Sequence, residues 1–160
     1  SHQFYPTPEN LAKQVVELAA IESDHDCLEP SAGTGGLAKF MPKERTTCVE
    51  ISSMHEAVLS AQGFQTIRAD FIDWAQQPAH KTFERVIMNQ AFSEGRWRSH
   101  VEAAAGMVRP GGRLVAILPS GAKSCGVLSS WEPSWHGPFE NEFAGTSVAV
   151  VVLVADRPKV

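Results

Sequence analysis

Leu28-Glu29-Pro30-Ser31-Ala32-Gly33-Thr34-Gly35-Gly36 decides the fold. A short apolar run ends on an acid, turns on glycines, and gives way at Leu37 to a stretch that reads as helical. Glycine lets the backbone turn tightly and lie close to a ligand. The order of residues differs from the dinucleotide fingerprint, whose glycines cradle a pyrophosphate. A carboxylate at the mouth of the loop would repel a phosphate. It suits a ligand that carries an ammonium group and no phosphate. A second acid, Glu50, closes the next apolar run at about the spacing expected of a ribose-binding carboxylate.

Outward from this loop, the chain reads as one α/β domain over residues 1–160. Thr7-Pro8 is expected to open a helix, with Thr7 as cap and proline in the first helical position. Leu11, Val15 and Leu18 then share a face. Strands are expected at 26–29, 46–51, 65–69, 85–89 and 113–118. Helical stretches at 37–41 and 53–62 separate the first three, Gly63 ending the second. A helix over 96–108 stops before Pro110-Gly111-Gly112. Strands alternating with helices imply right-handed crossovers and a mostly parallel sheet. The end differs: runs at 137–143 and 147–155, joined by Ala144-Gly145-Thr146, predict an antiparallel hairpin. The last run is apolar on both faces and should insert into the sheet.

Composition bounds the function. The 160 residues are 43% hydrophobic and 20% charged, with a net charge of -4. That is neither a disordered nor a membrane-spanning chain, and no apolar run reaches the ~20 residues that cross a bilayer. The start, Ser1-His2-Gln3-Phe4, lacks the basic and apolar regions of a signal peptide, so a cytoplasmic location is expected. Three cysteines, Cys27, Cys48 and Cys125, lack metal-ligand spacing and read as reduced interior thiols. The histidines show no ligand spacing either, so no metal is assigned. A negative balance argues against a broad nucleic-acid footprint. Residues 84–123 nevertheless hold six basic groups against three acids, which suggests an anionic substrate near that segment.

Taken in order, the motifs resemble those of the class I S-adenosylmethionine-dependent methyltransferases. More narrowly, the chain is similar to the small N6-adenine DNA methyltransferases of phages and mobile elements. Phe4-Tyr5-Pro6-Thr7-Pro8 matches the family's N-terminal cofactor motif, and 29–35 its glycine loop. Val49-Glu50 matches the ribose acid, Ala69-Asp70-Phe71 the adenine-binding acid, and Asn89-Gln90-Ala91-Phe92 stands where the catalytic tetrapeptide belongs. The resemblance implies a Rossmann-like, doubly wound fold with a seven-stranded, mostly parallel sheet and S-adenosylmethionine as cofactor. It implies cofactor contacts from Tyr5, Thr7, Glu29, Ser31, Ala32, Gly33, Gly35, Glu50, Ile51, Asp70 and Phe71. Glu29 would face the ammonium, Glu50 the ribose hydroxyls, Asp70 the adenine amine, and Thr7 the methionine carboxylate. Trp74 reads as packing beside that adenine. Trp131 and Trp135 read as hairpin packing rather than as base-stacking platforms.

The same resemblance assigns catalysis to Asn89, Gln90 and Phe92. An exocyclic aromatic amine is a poor nucleophile because its lone pair is delocalised into the ring. The family supplies two acceptors, the Asn oxygen and the following carbonyl, which draw the amine towards tetrahedral geometry, while the aromatic residue stacks on a flipped base. Here Gln90 and Ala91 replace two prolines. The carbonyl at position 90 survives, but proline's fixed φ and its restraint on the preceding residue are lost. An enzyme disabled at Gln90-Ala91, by nature or by design, and a cofactor-binding accessory module both fit that change. RNA adenine and protein glutamine methyltransferases share the tetrapeptide logic and remain alternatives. Arg96 and Arg98, just beyond the tetrapeptide, are the substrate-binding candidates. They predict weak, salt-sensitive contact with DNA phosphates. At this length a separate target-recognition domain is not expected, so low sequence specificity or a recognition subunit follows.

Overall fold

The computed structural model describes residues 6–78, 81–89, 95–140 and 149–160. Among them a seven-stranded sheet runs β3-β2-β1-β4-β5-β7-β6. The strands are β1 (Cys27–Glu29), β2 (Thr46–Glu50), β3 (Gln65–Arg68), β4 (Phe83–Asn89), β5 (Val108–Pro119), β6 (Ser134–Phe139) and β7 (Val150–Asp156). The first five are parallel. β7 runs antiparallel between β5 and β6, so the apolar last strand is inserted as its sequence predicts. The strand order reverses between β1 and β4, the crevice where ligands bind in open α/β sheets.

Alternation along the strands divides the core into two. Cys27, Cys48, Ile87, Val115 and Ile117 face one layer, with Leu11 and Val15 of α1 (Glu9–Ala19) and Leu59 of α2 (Ser53–Ala61). Leu28, Val49, Val86, Met88 and Leu114 face the other. That second layer holds Phe71 of α3 (Phe71–Ala75) and Val101 and Ala104 of α4 (Trp97–Gly106). Side chains on successive strand residues point to opposite faces, so one apolar run serves both layers.

Several boundaries differ from the sequence reading. Pro8, not Thr7, holds the cap position of α1, and no side chain caps that helix. The expected helix at 37–41 is a single 3-10 turn, Ala38–Phe40, squeezed between Gly35-Gly36 and Pro42. β5 begins at Val108 and runs through Pro110-Gly111-Gly112 as a bulge, because Gly111 and Gly112 bond Arg157 on the far side. β6 starts at Ser134, three residues earlier than the run suggests, with Trp135 packed on the second core layer. Its pairing with β7 skips from His136 to Phe139. The linker 144–146 lies outside the described residues. No helix among the described residues is long and apolar enough to cross a membrane.

Candidate active site at the carboxyl edge of the sheet

The topology gathers the acids that the sequence singled out. Glu29, Glu50 and Asn89 end β1, β2 and β4, and Asp70 follows β3, so all four stand at the carboxyl edge of the parallel strands. The glycine loop after β1 is tied down by backbone hydrogen bonds, one to β2 and one within the loop. Ala32 N–H donates to Val49 O at 3.1 Å, and Gly35 N–H to Ala32 O at 2.9 Å. Gly33 (φ 56°) and Gly35 (φ 95°) hold left-handed conformations that L side chains adopt at a cost. Gln62 reaches in from the end of α2 and donates to Thr34 O at 3.1 Å.

Glu50 is the hub of this arrangement. Its Oε1 accepts Gly33 N–H at 2.8 Å and its Oε2 accepts Ser52 N–H at 2.7 Å, in a side chain that is almost wholly buried. The resemblance implied that this carboxylate faces the ribose hydroxyls of a ligand. The structure gives each of its oxygens a backbone donor first, and since a carboxylate has about four acceptor positions, each oxygen retains one. His55 Nδ1 stands 3.7 Å from Oε2, a neighbour the sequence reading missed. Its only local sign was Ser52, whose hydroxyl accepts His55 N–H and caps α2.

Glu29 is buried and accepts Ser31 N–H at 2.8 Å. Burial pushes its carboxyl up to about 8. The Ser31 hydrogen bond opposes that rise and the nearby Glu50 charge adds to it. A cation brought to this group would favour its ionised form. Cys48, paired with Glu29 across β1 and β2, is also pushed up by burial and by both acids, and Cys27 rises to about 11 through burial. These two thiols are the inert interior groups expected. Cys125 is exposed, contrary to that expectation, because the turn Ser120–Ser124 carries it to the surface.

Asp70 caps α3, its carboxylate accepting Asp73 N–H at 3.1 Å, and Phe71 offers the first helical N–H beside it. The Phe71 ring is buried 6.2 Å from Trp74. Ile51 is exposed directly after Glu50. Thr7 faces Asn89, whose Nδ2 donates to Thr7 Oγ1 at 2.8 Å across 82 positions of sequence. Tyr5, Gln90 and Phe92 lie outside the described residues.

The basic segment splits in two. Arg85 donates to Ala19 O and Ala20 O, and Arg113 donates to Leu18 O at 2.8 Å while pairing with Asp156. Arg109 donates to Thr82 O and pairs with Glu84. Arg85 and Arg113 clasp the end of α1 and Arg109 the start of β4, all at the amino edge of the sheet. The surplus charge of 84–123 is therefore partly structural. Arg96 and Arg98 stand exposed at the start of α4, with Arg98 donating to Cys125 O at 3.2 Å.

At the amino edge Glu22, Asp24 and His25 bring potential metal-ligand atoms within 4.8 Å of one another. His25 Nδ1 accepts Glu22 N–H at 3.0 Å, so the neutral ring carries its proton on Nε2, facing Glu22 at 3.2 Å. A metal on Nε2 would require either the loss of the Glu22 N–H bond, with the proton moved to Nδ1, or an imidazolate.

No protein-family model and no curated protein matches this sequence. Solved structures do. A modification subunit of a putative type I restriction enzyme from Vibrio vulnificus YJ016 superposes with a TM-score of 0.74 at 15% identity, over 96% of this chain and 44% of that one. A putative RNA methyltransferase, PH1948 from Pyrococcus horikoshii, gives 0.73 at 18% identity, over 98% of this chain and 88% of that one. A putative class I S-adenosylmethionine-dependent methyltransferase from Listeria monocytogenes gives 0.71 at 13% identity, over 96% and 61%. The chain thus spans less than half the length of the restriction subunit. These likenesses show the fold alone: a Rossmann-like, mostly parallel seven-stranded sheet.

Proposed function

We propose that this chain is an S-adenosylmethionine-dependent methyltransferase domain whose target is an exocyclic amine of a nucleobase, N6 of adenine in DNA being the favoured substrate. The observation that carries the reading is the convergence of Glu29, Glu50, Asp70 and Asn89 around a glycine loop at one sheet edge. The donor set fits the cofactor. A buried carboxyl at Glu29 can pair with an ammonium, Glu50 retains acceptor positions for ribose hydroxyls, and Asp70 with Phe71 N–H offers an acceptor beside a donor for an adenine edge. When bound, the cofactor supplies an electrophilic methyl group on a sulfonium.

The chain's own residues do the rest. Asn89 Oδ1 accepts a hydrogen bond from the target amine and the carbonyl of Gln90 a second, so the amine is drawn towards tetrahedral geometry and its lone pair leaves conjugation with the ring. Phe92 stacks on the base. Arg96 and Arg98 meet the backbone phosphate beside it. Positioning of this kind makes up most of the rate enhancement when little proton transfer is needed. A separate recognition subunit would provide sequence selectivity, and the likeness to a restriction modification subunit is in keeping with that. A second reading, a cofactor-binding accessory module without catalysis, is favoured by Gln90-Ala91 in place of the proline pair.

Transfer of labelled methyl to unmethylated DNA, to an RNA duplex and to a glutamine-containing peptide tests the proposal, with nucleoside analysis for N6-methyladenine. Label in DNA alone supports it. Preference for RNA or peptide moves the target class, and silence on all three in a chain that binds cofactor favours the accessory module.

A further inference from the structure

We infer that Thr7 is a positioning residue that ties the orientation of the Asn89 carboxamide to the filling of the glycine-loop site; this rests on the function proposed above. Thr7 lies between the two halves of the site. On one side it packs on the bare backbone of Gly36, where a Cβ would stand 3.4 Å from Thr7 Cβ and from Thr7 N. On the other, its Oγ1 accepts Asn89 Nδ2–H at 2.8 Å.

A threonine hydroxyl has one proton to give and two lone pairs to accept with. While the proton is uncommitted, the hydroxyl can either accept from Asn89 Nδ2 or turn and donate to Asn89 Oδ1. The two arrangements present opposite ends of the carboxamide to the substrate. Only the first leaves Oδ1 as the acceptor an amine needs. A carboxylate-bearing ligand in the glycine loop that reaches Thr7 Oγ1 takes the hydroxyl proton as a charge-assisted bond. Oγ1 can then only accept, Nδ2 is pinned to it, and Oδ1 faces the target. The acceptor is set when the loop is filled and is free to flip when it is not.

The test follows the Asn89 side-chain amide by nitrogen-15 NMR, its resonances identified by their loss in Asn89→Asp. Two probes are compared: S-adenosylhomocysteine, which keeps the amino-acid carboxylate, and methylthioadenosine, the methyl thioether of the same nucleoside, which lacks that carboxylate together with its ammonium. Calorimetry establishes the binding of each. S-adenosylhomocysteine should slow hydrogen exchange at Asn89 Nδ2 about tenfold, the scale of one net hydrogen bond, in the unmodified chain and in Thr7→Ser, but not in Thr7→Val. Methylthioadenosine should leave it unchanged in all three. Equal protection in Thr7→Val, or equal protection by both probes, overturns the inference while the cofactor reading stands. Absence of any binding of S-adenosylhomocysteine to the folded unmodified chain overturns both.

Discussion

Gly33 and Glu50 are joined by a 2.8 Å hydrogen bond, from the backbone N–H of the glycine loop to the carboxylate that ends the neighbouring strand. One acid therefore has two duties. It holds the loop in its left-handed turn, and it keeps acceptor positions for a ligand in the same crevice. On the proposed function, loop geometry and ligand affinity are linked through this one side chain.

The first expectation follows from that link. Glu50→Ala removes the acceptor of Gly33 N–H and of Ser52 N–H together, the former in a buried setting. The folded state should lose about 1–3 kcal/mol, the usual cost of leaving such a donor unmet. Urea denaturation reads it as a lower midpoint at unchanged slope. An unchanged midpoint would mean that the loop is held by its backbone-to-backbone hydrogen bonds alone.

Glu29 gives the chain a pH dependence of definite sign. Its folded-state value of about 8 lies above the ordinary carboxyl value of 4.5. Between those limits the folded chain holds a proton that the unfolded chain has released, so stability from this group falls as pH rises from 4.5 to 8. Glu29→Gln should flatten that decline. Binding of a cationic ligand should expel the same proton below pH 8. Affinity should then climb with pH from 6 to 8, by at most about tenfold per unit. Calorimetry at pH 7 in two buffers of different ionisation enthalpy measures the proton release, and identical apparent heats would refute it.

The parts of this fold legible in the sequence were those fixed by neighbours along the chain. The glycine loop, the acids closing β1 and β2, and the insertion of the apolar Val150–Asp156 strand all announce themselves locally. α3 did not, because five residues leave no periodicity and only the Asp70 cap marks its start. The turn at Ala38–Phe40 misled because its apolar residues suit a helix, while Gly36 and Pro42 leave too little room for one. Thr7 looked like a cap because Thr-Pro is a good helix start. Its bond to Asn89 depends on α1 docking beside β4 and has no local signature. The arginines at 85 and 113 read as a substrate patch until their carbonyl partners at the end of α1 were placed.

Three glycines should respond differently to alanine. At Gly112 a Cβ would stand 2.7 Å from Glu84 O, a backbone atom that cannot yield cheaply, so Gly112→Ala should cost about 1–3 kcal/mol. At Gly35 the strain lies in a φ of 95°, and alanine should cost ~1–2 kcal/mol. Gly106 ends α4 with nothing within 4 Å of a built Cβ, and Gly106→Ala should stabilise by about 0.5–1 kcal/mol. Thermal melts rank the three. A destabilised Gly106→Ala would contradict the helical assignment at that end.

Restoring the proline pair should restore turnover. Gln90→Pro with Ala91→Pro fixes the direction of the carbonyl at position 90, and misplacement by ~1 Å can cost on the order of a hundredfold in rate. The gain should fall on kcat, with cofactor affinity little changed, since the role proposed for the tetrapeptide is on the target base. Steady-state methyl transfer to DNA with the paired variants checks it. If the unmodified chain is already as fast as the variant, Asn89 with Phe92 suffices.

Arg96→Ala with Arg98→Ala should weaken DNA binding and reduce its salt dependence, because phosphate contacts release counterions. Both side chains are exposed at the start of α4, so stability should be left nearly unchanged. Fluorescence anisotropy with a labelled duplex at two salt concentrations reads both effects. Affinity that ignores salt in the unmodified chain would remove the phosphate assignment.

The central claim is that the glycine loop and its acids bind S-adenosylmethionine, and isothermal calorimetry with S-adenosylhomocysteine tests it most directly. The unmodified chain should saturate at one ligand per chain. Glu50→Gln, which keeps an acceptor for a backbone N–H but loses the charge, should bind at least about tenfold more weakly, as should Asp70→Ala. No heat of binding in the folded unmodified chain, or equal affinity in all three proteins, would contradict the account.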